Sequence, residues 1–157
     1  MTVENPSERL RRLGLMLPPP RKPVANFLPY KRHGDLLFLS GQGPVSHEGV
    51  RHTGKVGLNV SVSEAYDHAR LAALNLLSIA DVAAGSIDRV TGIVKVLGYV
   101  NAAPDFTDHP AAMNGCSDLL ISVFGDRGMH ARSAIGAGSL PNHITVEIEM
   151  VVSLAVD

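Results

Sequence analysis

The chain has no tryptophan, a single cysteine and an aromatic content of only 4%. It also lacks any long block of charge of one sign and any apolar run approaching the length of a membrane span. Each absence excludes something. One cysteine, Cys116, rules out an intrachain disulfide framework and fits a reducing compartment. With a net charge of −1 and few aromatics there is no basic or stacking strip for nucleic acid, so no nucleic-acid partner is expected. The local basic run, Arg9 to Arg12 with Arg21 and Lys22 beyond it, is short and mixed with leucines. No membrane partner is expected either. The N-terminus carries glutamates and no apolar stretch before a cleavage site, so it does not read as a secretory signal, and the cytoplasm is the expected location.

What remains is an ordinary globular composition. A length of 157 residues suits one domain with one core. Apolar residues make up 45% and charged residues 18%, a combination that leaves room for a buried subunit interface. Residues 1–25 read as an N-terminal arm, and 26–157 as the domain proper. In the arm, Asn5-Pro6-Ser7 starts a short helix whose apolar side is Leu10, Leu13 and Met16, and Gly14 ends it. Pro18-Pro19-Pro20 then enforces an extended segment.

Asp35 to Ser40 reads as a buried strand closed by Gly41-Gln42-Gly43-Pro44, and 45–58 as a loop or loose hairpin. Ser61 and Glu64 form a capping box ahead of a long helix with the stripe Ala69, Ala73, Leu76, Leu77 and Ala80, stopped at Gly85. Asp88 to Val100 is rich in β-branched residues and reads as the next strand. Thr107 or Asp108 caps a second helix with Pro110 in its first turn, Met113, Cys116, Leu120, Val123 and Phe124 on its apolar face, and Gly125 at its end. Two helices on one face of a mixed sheet make an α+β layer. The other face needs a cover, and a second subunit is the economical one.

The densest chemistry lies at the end. Ala131 to Gly136 and Thr145 to Val152 read as two strands joined across Leu140-Pro141. Alternation puts Val146, Ile148, Met150 and Val152 on one face, and Glu147 and Glu149 on the other. If the two strands pair as a hairpin, Arg132 lies opposite Glu147 or Glu149. A guanidinium suits a carboxylate, and a glutamate beside it can handle a proton; the plain alternative is a surface ion pair.

Elsewhere the chemistry is thin. Gly41-Gln42-Gly43 lacks the third glycine and helix start of a dinucleotide site. Seven histidines are scattered without ligand spacing, so no metal is expected. His68, beside Asp67, reads as solvent-facing, and Asp105 and His109 could meet but have no third partner. Cys116 sits on a helix stripe and reads as core. Ser40 ends a strand where backbone and hydroxyl can both face a pocket, and Asn114 stands one helical step off the apolar stripe.

Leu39-Ser40-Gly41-Gln42, the alanine-rich helix to Gly85, Asp105-Phe106, Ala131-Arg132-Ser133, Leu140-Pro141 and Val146-Glu147-Ile148-Glu149, in that order, resemble the reactive-intermediate deaminase family. It is also called YjgF or Rid, and often labelled endoribonuclease L-PSP. The N-terminal arm and the stretch from Asn114 to Leu120 with Phe124-Gly125-Asp126 resemble one YjgF-like branch of it. The resemblance runs from about residue 26 to the end. It implies a chorismate-mutase-like α+β fold, a homotrimer and three clefts between subunits. It further implies cofactor-free hydrolysis of 2-enamino and 2-imino acids, released by pyridoxal-phosphate enzymes, to 2-keto acids and ammonia.

On this resemblance Arg132 clamps the substrate carboxylate, Glu147 stands near the attacking water, and Ser40, Gly41 and Asn114 line the substrate. The family's tyrosine position falls on Phe27, with Tyr30 three residues out of register. Ala134 and Gly136 stand where the main type often has cysteine and glutamate. Three functions follow for test: an imine deaminase, a trimeric binder of small carboxylates without turnover, and, more weakly, a ribonuclease.

Overall fold

The computed structural model describes residues 4–156; the first residues of the arm and residue 157 lie outside the described residues. In chain order the elements are α1 (Pro6–Arg12), β1 (Tyr30–His33), β2 (Leu36–Gln42), α2 (Val62–Ala84), β3 (Val90–Asn101), α3 (His109–Phe124), β4 (Ala131–Ala137) and β5 (Val146–Leu154). The strands form one mixed sheet in the order β1-β2-β5-β3-β4. All neighbours are antiparallel except β3 and β4, which run parallel with α3 as their crossover. This is the α+β layer expected from the sequence.

Local signals set the helices. Asn5 with Glu8 and Ser61 with Glu64 make reciprocal capping boxes at the starts of α1 and α2. Gly85 closes α2 in the left-handed region, at φ 80°. Asp108 occupies the cap position of α3, with Pro110 in the first turn, but its side chain makes no cap hydrogen bond. The stripes Ala69, Ala73, Leu76, Leu77, Ala80 and Met113, Cys116, Leu120, Val123, Phe124 are buried. They pack α2 and α3 on one face of the sheet against Leu37, Leu39, Val96, Val100, Ile148 and Val152.

The layers are close. A Cβ on Gly115 of α3 would come within 1.9 Å of the Tyr66 carbonyl oxygen of α2, and one on Gly98 of β3 within 2.2 Å of the Met113 sulfur. Tyr66 also donates its hydroxyl to Asp118 at 2.8 Å, pinning the helices together. The arm folds onto its own chain: Leu10 joins the core, the Ser7 amide donates to Asp88, and the Ser78 hydroxyl donates to the Pro18 carbonyl.

The opposite face carries no helix among the described residues. Phe38 of β2 and Ile135 of β4 are each 45% exposed there, with Leu97, Lys95, Glu149 and Val151 between them. Among the described residues no helix is long and apolar enough to cross a membrane.

Candidate active site

The hairpin expected from the terminal strands does not form. After the α3 crossover β4 runs parallel to β3 and takes its outer edge. The connection 138–145, with Asn142 and His143 at φ 54° and 58°, carries the chain past the end of β3 so that β5 adds to the other edge. A two-residue period specifies faces, not which edge of a neighbour a strand will choose. Arg132 pairs with Val96, whose side chain is fully buried under the helices. Glu147 pairs with Tyr99 and Glu149 with Leu97, on the open face. Within one chain Arg132 and Glu147 therefore stand on opposite sides of the sheet.

On the helix side, Arg132 Nη1 donates to Asn114 Oδ1 at 2.9 Å and to Ser117 Oγ at 3.0 Å. Asn114 and Ser117 share a face of α3 because they are three residues apart. Ser117 Oγ lies 2.9 Å from His130 Nε2, and His130 Nδ1 lies 2.6 Å from the Gly128 carbonyl oxygen. Sequence reasoning found Asn114 and missed Ser117 and His130. Their spacing, His130 two residues before Arg132 and Ser117 three after Asn114, places them near those residues but gains meaning only once α3 lies beside β4. Neighbouring Cys116 is enclosed, and burial pushes its thiol up to about 12, which suits a core residue and not a nucleophile.

On the open side, β2 bulges between Leu39 and Gln42, so Ser40-Gly41 takes the extra step. The Glu147 side chain lies across that step; a Cβ on Gly41 would sit 2.6 Å from Glu147 Oε1. Burial first, then the charge of Glu149, holds the Glu147 carboxyl above the usual carboxylate range. The Ser40 hydroxyl donates to the Leu28 carbonyl at 2.6 Å and its amide to Pro29, which fixes the segment carrying Phe27. Phe27, Tyr30, Phe38, Ser40, Lys95 and Glu149 are among the residues lining a hollow of about 510 Å³ there. Phe27 and Tyr30 both reach this hollow.

Two histidines fall differently from expectation. His68 is half-buried rather than solvent-facing: its ring centroid is 4.4 Å from that of His52, and its Nδ1 is 3.0 Å from Thr145 Oγ1. Burial, then the charge of His52, holds it below the ordinary histidine range. His109 packs edge-on against Phe106 and fills the space above Gly136, where a Cβ would come within 2.5 Å of its Nε2. A side chain at 136 would require that ring to move aside.

These features define a small α+β protein with a fixed arginine on one side of its sheet and a desolvated glutamate on the other. The chain belongs to the family described as "YjgF/chorismate mutase-like, putative endoribonuclease", whose model matches residues 7–151. Protein TCP17 of Trypanosoma cruzi is 40% identical over 146 residues, 92% of this chain and 91% of that protein. A solved structure from Shewanella oneidensis, described as a "putative endoribonuclease", is 32% identical with a TM-score of 0.92, covering 96% of this chain and 99% of that one. E. coli TdcF, solved with bound serine, shares the fold at 23% identity and a TM-score of 0.59, covering 88% of this chain and 94% of that one.

Proposed function

We propose that this protein is a cofactor-free deaminase that hydrolyses 2-imino or 2-enamino acids to 2-keto acids and ammonia, in clefts between the subunits of a homotrimer. The observation that carries this reading is the division of the residues matched by the family resemblance. Arg132 and Asn114 stand on the helix side, while Phe27, Ser40, Gly41 and Glu147 stand on the open side. One chain cannot bring both groups to one ligand. Two copies can, if the open face of one meets the β4 edge of the next. The same contact covers Phe38 and Ile135 of the open face, which a lone subunit leaves half in water.

The chemistry asks little. Arg132 holds the substrate carboxylate and orients the C=N carbon, which is already electrophilic. Water adds to that carbon, and Glu147 of the facing copy takes its proton as the C–O bond forms. Glu147 returns that proton to nitrogen to give a carbinolamine. It then carries the hydroxyl proton to nitrogen as the carbonyl forms and the C–N bond breaks, so an imine and one water become a keto acid and ammonia. A glutamate whose proton affinity is raised by burial suits this exchange. TdcF, which shares the fold, was solved with serine, a ligand of the same size class that also carries a carboxylate. The low charge density and the net charge of −1 speak against RNA as substrate, and the lone buried Cys116 suits the cytoplasm.

The test generates 2-imino acids with an amino-acid oxidase and traps the surviving imine with semicarbazide. Wild type is expected to speed imine loss, and Arg132→Ala to abolish the effect. No acceleration, in a trimer that still binds 2-keto acids through Arg132, would make it a carboxylate-binding protein instead. A sedimenting monomer would remove the shared cleft.

A further inference from the structure

We propose that Ser117 and His130 are positioning residues that set the edge Arg132 presents to a carboxylate. The proposal rests on the reading of Arg132 as the carboxylate clamp and adds how the clamp is aimed. A guanidinium offers a carboxylate two useful edges: the end, through Nη1 and Nη2, and the side, through Nε and Nη2. Nη1 has two protons, and both are taken, one by Asn114 Oδ1 at 2.9 Å and one by Ser117 Oγ at 3.0 Å. Nε and Nη2 have no acceptor among the described residues. The end is therefore closed and the side is open, so the ligand binds side-on.

His130 makes this arrangement single-valued. The Gly128 carbonyl can only accept, so the nitrogen 2.6 Å from it, Nδ1, carries a proton. Ser117 Oγ already accepts from Arg132. In the neutral ring Nε2 takes the Ser117 hydroxyl proton at 2.9 Å, and each group in the line from Arg132 to Gly128 has a role. The alternative, a charged ring, would aim a second cation's N–H at the oxygen already serving the guanidinium. With its proton committed to His130, Ser117 holds its lone pairs toward Nη1. Asn114 alone would hold one Nη1 proton and leave the other without an acceptor, which lets a ligand compete for the end-on edge.

Two measurements test this, one of them without ligand. Side-chain 15N spectra of Arg132 should resolve Nη1 and Nη2 in wild type. Their exchange should be about tenfold faster in Ser117→Ala and in His130→Ala, the effect of one charge-assisted hydrogen bond. His130→Gln, whose carbonyl oxygen can take the Ser117 proton, should restore slow exchange, which a merely structural defect would not predict. In calorimetry, 2-oxobutanoate affinity should fall about tenfold in the two alanine variants and recover in His130→Gln. Nη exchange unchanged in Ser117→Ala, or His130→Gln behaving like His130→Ala, would overturn the proposal. Absence of any Arg132-dependent binding of 2-oxobutanoate by wild type would instead overturn the clamp reading, while the nitrogen spectra still decide on positioning.

Discussion

The two faces of this sheet are built to different standards of fit. On the helix side the contacts are rigid: the Gly115 backbone stands against the Tyr66 carbonyl with no room for a methyl, and Leu37, Leu76 and Leu120 are fully enclosed. On the open side the same strands hold Phe38 and Ile135 half in water, two lysines and a pair of glutamates. One face specifies the fold; the other carries no helix among the described residues. The contrast also divides the chemistry, because the arginine on the packed side has its aim fixed by hydrogen bonds, whereas Glu147 is tuned by burial.

Substitutions can break or sharpen that contrast. The largest effect belongs to Gly115→Val. Its branched side chain meets helix backbone, which cannot move aside, and the two helices must separate. Loss of a cooperative thermal transition is expected by circular dichroism. Next comes Leu76→Ala on α2, where deleting an enclosed leucine should cost about 2–5 kcal/mol in chemical denaturation. On the open face Phe38→Ser should cost about 1 kcal/mol or less in dilute protein, yet weaken self-association measured by sedimentation. A large loss of stability in the dilute chain would show that the open face also belongs to the core.

The smallest effect is one of pH. The folded-state value of Glu147 is raised, so protonation favours the folded form. That contribution is complete below the unfolded carboxylate value of about 4.3 and is lost as pH rises through the higher folded value. Glu147→Gln should therefore flatten the fall in stability across that interval, with melting temperatures of the two proteins converging at acid pH. Parallel pH curves would mean that Glu147 is as well solvated as any surface glutamate.

Much of the packed face was legible in the sequence, because its signals are local. Capping boxes span three residues, stripes recur within a helical turn, and the helix-ending glycines announce themselves. The faces of β5 were legible for the same reason. The partner of β5 was not, since alternation is blind to which edge a strand joins, and so the hairpin expected for Arg132 and Glu147 became an arrangement with β3 between them. His68 was misjudged because its neighbour Asp67 is close in sequence, while His52 and Thr145 come from distant segments. Ser117 and His130 escaped notice because neither means anything until α3 and β4 are side by side.

The place of β5 has a consequence for how the molecule comes into being. It follows β1 to β4 and all three α-helices of the described residues, yet it lies in the interior of the sheet, between β2 and β3. Until the ribosome has released it, β2 with β1 and β3 with β4 are two separate ribbons, each with a bare hydrogen-bonding edge. Nothing made earlier can substitute for it, so the sheet closes in a late, long-range step that is slow by nature. During that wait the half-made chain exposes the edges most prone to pair with another copy, and a chaperone that shields strand edges would have its largest effect there.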